Sequence, residues 1–280
     1  MTERVSPESP ASWDEVAGGW ARRRAFVWEL SRGLSERLIE LLDPRPGETV
    51  LELAAGPGDT GFLAADRVVP GGRLISTDVA PQMLVAARER ADELGVANAE
   101  FRVMDAQTLD LLDASVDAVV CRWGYMLVED PARALAETRR VVRPGGRVAF
   151  AVWASADENP WASTIGRVLL AHGLVERPEP DAPGPFRLAD PARLRELVTG
   201  AGLELLVLED VELTWRYESF DDYWQISSDL SRTLVAAVEA VDEGRVAAMR
   251  ADLRAATAQY ESGRGLEFPA LSRAVLARRA

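Results

Sequence analysis

Short apolar runs alternate with stretches of three-and-four hydrophobic spacing along most of this chain, the pattern produced by a parallel sheet covered by helices on both faces. Strands are expected at Thr49–Leu53, Arg73–Thr77, Ala99–Met104, Val116–Cys121 and Arg147–Trp153, with helices between them at Gly61–Val69, Pro81–Leu94 and Pro131–Val142. Pro70-Gly71-Gly72 and Arg143-Pro144-Gly145-Gly146 supply stops and tight turns before the second and fifth strands. Ahead of the first strand, a polar tail leads into helical spacing over Trp13–Leu42, with Ala25, Trp28, Leu34, Leu38, Ile39 and Leu42 on recurring faces. Asp43-Pro44-Arg45-Pro46-Gly47 ends it. Beyond the fifth strand a Trp- and Pro-rich stretch interrupts the alternation. A helix at Asp190–Ala201, a strand at Leu203–Leu213 and a last strand at Leu271–Ala277 then resume it, with a mostly helical insertion at Ser219–Gly263.

The expected fold class is therefore α/β, a Rossmann-like doubly wound, mostly parallel seven-stranded sheet with helical cap insertions. Residues 1–42 are read as N-terminal helices covering the site and 43–153 as the ligand-binding core. A cap insertion at 154–186, a continued core at 187–218, a helical cap at 219–265 and the last core strand at 266–280 complete the organisation. The chain's 280 residues suit one large domain with a cap.

In such sheets ligands bind outside the carboxyl ends of the strands, so polar residues there count most. The first strand runs into Glu52-Leu53-Ala54-Ala55-Gly56-Pro57-Gly58-Asp59-Thr60-Gly61, an acidic residue followed by a glycine-rich turn into a helix. Glycines let a backbone approach a ligand closely. The run also matches the dinucleotide pattern G-x-G-x-x-G, but Glu52 and Asp59 put carboxylates where a pyrophosphate would lie, and no cation is evident beside them. An adenosine cofactor carrying an ammonium and a sulfonium suits two carboxylates better than a phosphorylated one. The other tips offer Asp78-Val79, Asp105-Ala106 and Cys121-Arg122-Trp123-Gly124-Tyr125. Asp78 stands about 20 residues past the glycines, where an acid accepts ribose hydroxyls. Alternatively it caps the helix that begins at Pro81, and Asp105 starts a turn.

Composition narrows the chemistry. A formal net charge of −13 argues against a nucleic-acid surface. Every basic residue is Arg, which removes Schiff-base chemistry, pyridoxal attachment and a P-loop lysine. One cysteine, Cys121, and one histidine, His172, leave no disulfide framework and no Cys/His zinc site, and a Ser-His-Asp hydrolase would have only His172 to use. The start of the sequence has no secretory pattern and no run approaches the ~20 apolar residues of a membrane span, so a cytoplasmic protein is expected.

These motifs resemble those of the class I S-adenosylmethionine-dependent methyltransferases, most closely the ubiquinone/menaquinone-biosynthesis type. The family's first motif falls on Glu52–Gly58, its ribose acid on Asp78 followed by Pro81-Gln82-Met83-Leu84, and its adenine pair on Asp105-Ala106. Its fourth-strand motif falls on Asp117–Cys121 and the turn before strand five on Arg143–Arg147. The resemblance covers about Leu38–Trp153 well and the last two strands loosely. It departs at Ala54, where the family commonly has glycine and where a methyl group is tolerated if φ stays negative.

The resemblance implies S-adenosyl-L-methionine as cofactor and assigns roles. Glu52 would lie near the methionine amino group, with the backbone at Ala54, Gly56 and Gly58 along the methionine and ribose. Asp78 would hold the ribose, Val79 and Met83 would pack on the adenine, Asp105 and Ala106 would bond its edge, and Cys121 and Trp123 would border the sulfonium. In-line displacement at the methyl carbon requires alignment, exclusion of water and removal of any proton from the nucleophile. Trp13, Trp20, Trp153, Trp161, Trp215, Tyr217, Tyr223 and Trp224 are candidates for an aromatic cap over a hydrophobic or aromatic acceptor, against a background of ordinary packing.

His172 is the one side chain whose ordinary titration suits a base near neutrality, with Tyr125 in reserve as catalytic candidate. Cys121 reads as a small apolar filler. Asp105, Asp117 and Asp130 could be arranged as a magnesium site, but the expectation is that no metal is used. The expected function is methyl transfer to an O or C atom of a small metabolite. An NAD(P)-dependent oxidoreductase or a non-catalytic S-adenosylmethionine binder is the alternative. Expected partners are a small-molecule acceptor and neither nucleic acid nor a membrane, with a homodimer left open.

Overall fold

The computed structural model describes residues 10–177, 179 and 181–280. The expected polar tail at the start of the sequence falls largely outside them. In chain order come helices α1 (Pro10–Arg22) and α2 (Arg24–Leu42), then β1 (Thr49–Glu52), α3 (Thr60–Arg67), β2 (Arg73–Asp78), α4 (Pro81–Leu94), β3 (Ala99–Val103), β4 (Val116–Arg122), α5 (Pro131–Val141) and β5 (Val142–Trp153). After these follow α6 (Pro160–Ala171), α7 (Pro191–Gly200), β6 (Leu203–Tyr217), α8 (Phe220–Leu230), α9 (Arg232–Glu239), α10 (Glu243–Thr257), β7 (Glu261–Ser262) and β8 (Gly265–Arg279).

Seven strands lie in the order β3-β2-β1-β4-β5-β8-β6, and the two-residue β7 pairs with β8. The first five are mutually parallel, while β8 runs antiparallel to both β5 and β6. Order therefore reverses between β1 and β4, which opens a crevice at their carboxyl ends. Val50, Leu51, Val119, Val120, Val148 and Phe150 are buried because helices cover both faces of the sheet.

Local chemistry explains the boundaries. The helical stretch expected at Trp13–Leu42 is divided at Arg23, and α2 buries Val27, Ser31, Leu34, Ser35, Leu38, Ile39 and Leu42 while Ala25 is exposed. Asp43, left-handed at φ 48 before Pro44, ends it. Pro81 opens α4 and left-handed Gly95 closes it. Asp130, Asp190, Ser219, Ser231 and Asp242 cap α5, α7, α8, α9 and α10 with side-chain oxygens.

β6 and β8 are longer than their periodicity suggests because each has a partner along its whole length. Their ladder runs from Leu203 opposite Arg279 to Tyr217 opposite Leu266, whereas β5 meets β8 only from Arg147 to Trp153. The outer half of the β6–β8 ribbon projects past β5 and carries Trp215 and Tyr217 toward α2, α6 and α8. Among the described residues no helix is long and apolar enough to cross a membrane.

Candidate functional site

The turn after β1 is built from unusual backbone. Ala54 (φ 52), Gly56 (φ 57), Gly58 (φ 89) and Asp59 (φ 95) all lie at positive φ. Ala54 thus departs from the negative φ expected of it. The N–H of Ala55 donates to the Thr77 carbonyl on β2 at 3.0 Å, which fixes the turn against the neighbouring strand. The methyl of Ala54 is accommodated across the crevice by Gly124, where a β-carbon would stand 2.6 Å from it. A β-carbon on Gly58 would meet the Phe62 ring at 2.6 Å, and one on Gly61 would meet the Glu52 carboxylate, whereas Gly56 faces open space.

Two acids frame this turn. Glu52 is 2% exposed, and its oxygens accept from the Gly61 N–H at 2.6 Å and the Ser76 hydroxyl at 2.8 Å. Burial pushes its carboxyl up to about 7. Both oxygens are therefore engaged beneath the turn, locking the start of α3 to β2. Asp78 accepts from Gly56 N–H and from Ala80 N–H, each at 2.9 Å, and burial raises its carboxyl too. It ties the glycine turn to the entrance of α4 by bonding the Ala80 N–H ahead of the helix, so it is not the α4 cap that the sequence allowed, and α4 has no side-chain cap. An ionised carboxylate has about four acceptor sites, so capacity remains for a ligand hydroxyl.

At the third tip, Asp105 accepts from the N–H and the side-chain amide of Gln107, and its carbonyl accepts from Thr108 N–H at 2.9 Å. It forms the turn that the sequence allowed, with Asp105, Ala106 and Val79 all partly exposed. Met83 is buried with Ala80 and Ala17 beneath Trp13 and Trp20, which places α1 over this side of the crevice. Trp13 and Trp20 consequently pack on the start of α4, with Trp20 also beside Gly58 and Arg122, rather than with the aromatic cluster at the outer half of β6.

The expectation that no cation stands near the turn is corrected. Arg90 on α4 pairs with Asp59 at 2.9 Å, and Arg122 at the end of β4 donates to the Thr60 hydroxyl at 2.9 Å. Strand β4 brings Arg122 there because it lies beside β1 in the sheet. The Arg122 guanidinium lies 4.7 Å from the Trp123 ring, while its Nη1 is buried without a hydrogen-bond partner. Trp123 is itself at positive φ (61), stacks on Trp153 at 4.1 Å and donates its indole N–H to Ser272 at 3.0 Å. Cys121 is buried, and burial pushes its thiol up to about 12, consistent with a packing residue.

Beyond the β5 tip the aromatic residues do converge. Trp153 neighbours Trp161 and Trp215, which stack on each other at 4.0 Å, and Phe26, Tyr217 and Tyr223 continue the wall. The Tyr223 hydroxyl donates to the Trp161 carbonyl at 2.7 Å, joining α8 to α6. Trp224 stands apart, facing Arg250.

His172 lies away from the strand tips, and Tyr125, just past the end of β4, is buried in the core. His172 caps the far end of α6, roughly 16 Å along the helix from Trp161, where its Nε2 pairs with Asp252 at 2.9 Å. Tyr125 is fully buried in contact with Phe150, and since the Thr138 hydroxyl donates to the Ala134 carbonyl, the Tyr125 hydroxyl donates to Thr138 at 2.7 Å. Burial drives its hydroxyl well above the ordinary phenol range. The three scattered aspartates do not form a cluster either. Asp117 opens β4 at the opposite sheet edge, accepting from Thr49 N–H and pairing with Arg143, while Asp130 caps α5. Among the described residues no group of three or more His, Cys, Asp and Glu could hold a metal ion.

This arrangement, with a glycine turn between acids at the β1 and β2 tips, coincides with a match of residues 50–146 to the family described as Methyltransferase domain. Residues 50–146 are thus similar to a methyltransferase domain. The domain is 42% identical over 112 residues to the ubiquinone/menaquinone biosynthesis C-methyltransferase UbiE of Acidiphilium cryptum, a stretch covering 39% of this chain and 43% of that one. It is 34% identical over 120 residues to the nocamycin O-methyltransferase of Saccharothrix syringae, covering 43% of each. The matched stretches span between about a quarter and a half of the length of the curated relatives. In fold, the chain is similar to the YcgJ protein of Bacillus subtilis, with a TM-score of 0.61 at 17% identity over 88% of this chain and 97% of that one.

Proposed function

We propose that the protein is an S-adenosylmethionine-dependent methyltransferase acting on an O or C atom of a small hydrophobic or aromatic metabolite. The carrying observation is the pair of buried acids, Glu52 and Asp78, on either side of a turn whose Gly56 faces open space. Both carboxyls are pushed upward by burial, and a cationic nucleoside beside them would restore their ionised forms, whereas a pyrophosphate would oppose them. The relatives, named for O- and C-methyl transfer, support the same reading.

S-adenosylmethionine, when bound, supplies a methyl group on a cationic sulfur. This chain's residues would do the holding. Asp78 would accept the ribose hydroxyls, Val79 and Met83 would cover the adenine, and Asp105 and Ala106 would bond its edge. The backbone at Ala54, Gly56 and Gly58 would follow the methionine portion, with Cys121 and Trp123 bordering the reacting end. Glu52 acts one layer beneath, fixing α3 so that the turn keeps its shape. The wall of Trp153, Trp161 and Trp215 would exclude water and orient a flat acceptor.

Calorimetric titration with S-adenosylmethionine, S-adenosylhomocysteine and NAD tests the reading. Micromolar binding of the first two and none of NAD is expected, and preference for NAD would overturn it. Asp78→Ala should weaken S-adenosylmethionine by at least about tenfold, because charge-assisted bonds to the ribose are lost.

A further inference from the structure

Helix α8 reaches both the aromatic wall and the helix that covers the glycine turn. At its start, Phe220 and Tyr223 are buried, with the Tyr223 ring 4.9 Å from Tyr217 and its hydroxyl donating to the Trp161 carbonyl at 2.7 Å. Trp161 in turn stacks on Trp215 at 4.0 Å. Near its other end, about 9 Å along the helix axis from Tyr223, Asp229 accepts from Arg22 at 2.7 Å and from Arg23 at 2.6 Å. These arginines stand where α1 gives way to α2.

α1 is lightly held otherwise. It buries Val16 and Ala17, and Ala17 joins Ala80 and Met83 in a small cluster under Trp13 and Trp20 that is separate from the main core. Asp14 adds one bond from the Gln82 N–H at 2.9 Å, and Trp20 lies beside Gly58 of the turn. A helix with so few apolar anchors opens locally while the core stays folded. The pairs with Asp229 then weigh heavily on how often it opens, because the Arg23 and Asp229 side chains are only 28% and 20% exposed and are less screened than a surface pair. A rigid helix seated in the wall at one end and holding α1 at the other links the two positions, so that what steadies one steadies the other.

We propose that α8 couples the aromatic wall to the closure of α1, with Tyr223 as its anchor and Asp229 as its latch. What occupies the two sides rests on the methyltransferase reading. A flat acceptor packed on the wall holds α8 in place, α8 holds α1, and α1 retains the nucleoside at the turn. By reciprocity, a nucleoside retained under α1 raises affinity for the acceptor by the same factor.

Hydrogen exchange of the α1 amides tests the coupling with no ligand present. Wild type is compared with Tyr223→Phe, which keeps the ring and loses the bond to Trp161, with Asp229→Asn, and with the double variant. Tyr223→Phe should speed α1 exchange by about fivefold and Asp229→Asn by about tenfold, with β1 and β4 unchanged. In the double variant, Tyr223→Phe should add less than about twofold to Asp229→Asn, because its effect passes through the latch. Combined with Asp14→Ala, at the attachment to α4, it should keep its full effect. An α1 that ignores Tyr223→Phe, or effects of Tyr223→Phe and Asp229→Asn that simply multiply, overturns the coupling. Should Asp229→Asn fold poorly, Arg23→Gln removes the shorter pair from the side of α1 and takes its place. A second measurement follows dissociation of S-adenosylhomocysteine by stopped flow, which should quicken by about fivefold in Tyr223→Phe and by at least as much in Asp229→Asn. Unchanged dissociation in both variants overturns the retention of the nucleoside by α1. Failure of wild type to bind S-adenosylhomocysteine overturns the methyltransferase reading instead, and the exchange measurements then decide the coupling alone.

Discussion

Ala54 holds φ 52, a conformation that costs an L-residue about 1–2 kcal/mol. It is exposed, and the bonds that fix the turn come from its neighbours Ala55 and Gly56. Ala54→Gly should therefore raise stability by about 1 kcal/mol, seen as a higher urea midpoint at unchanged slope; a lower midpoint would show that the methyl against Gly124 contributes more than the strain. Glu52 makes a second prediction, in pH. Its carboxyl loses its proton near 4.5 when unfolded and near 7 when folded, so between those values the folded state holds the extra proton and rising pH favours unfolding. The contribution is fully present below about 4.5 and gone once pH has risen through 7, an effect of about 3 kcal/mol. Between pH 4.5 and 8, wild type should lose about that much more stability than Glu52→Gln, which keeps an uncharged group in place; equal losses would place the carboxyl's titration elsewhere. Asp78, raised by burial as well, pulls the same way in both proteins and cancels in the difference. At this scale the glycine turn and Asp78 were legible because their spacing is local. Arg122 was legible as a residue of the β4 tip but not as a cation beside the turn, since its partner Thr60 is 62 positions away and only the adjacency of β1 and β4 joins them.

α1 is attached from two directions. Its Asp14 accepts from Gln82 N–H at 2.9 Å on the core, while Arg22 and Arg23 pair with Asp229 of α8, and Arg232 lies over the Trp13 ring. Gly19 permits the second attachment, since any β-carbon there would run into the Asp229 carbonyl. Gly19→Ala should lift α1 from α8 at a cost of about 1–3 kcal/mol, and hydrogen exchange should show α1 amides losing protection by about tenfold or more while β1 and β4 keep theirs. Unchanged exchange in α1 would mean that α8 yields instead. α6 carries a contrasting prediction. His172 and Asp252 form a partly exposed pair, so His172→Ala should cost no more than about 1 kcal/mol and, on the proposed methyl transfer, leave the pH–rate profile in place; a lost acid limb would restore the histidine as base. Sequence reasoning singled out His172 by its titration alone, and the Trp- and Pro-rich stretch gave no helix against which to measure its distance from the strand tips. The core helices were legible because Pro, Gly and Asp mark their ends, as at Pro81 and Gly95.

Across the molecule, the five parallel strands follow the order of their apolar runs, but the last strand does not stay at an edge. β8 inserts between β5 and β6, antiparallel to both. Periodicity announces a strand there without saying which neighbours it takes, because pairing is set by long-range burial that a local pattern does not encode. The consequence is that the core sheet is not closed by residues 43–153. Without β8, β5 from Arg147 to Trp153 keeps β4 on one side but loses its partner on the other, β6 loses its whole length of pairing, and the Trp123 indole loses Ser272 as acceptor. Val275 and Phe268, both fully buried, would leave Phe150 and Tyr223 uncovered. A chain ending before Gly265 should therefore show no cooperative urea transition and should bind a hydrophobic dye, while the full chain unfolds in one step by both fluorescence and circular dichroism. A truncated protein that unfolds sigmoidally with the slope of the 43–153 segment would show instead that the parallel half folds by itself. In that case the aromatic wall, whose Trp215 hangs on the outer ribbon, would be an attachment to a finished core. The geometry argues otherwise, because Ser272 of β8 accepts from Trp123 and donates to Val152 at 2.8 Å, so one hydroxyl of the last strand aligns the tips of β4 and β5.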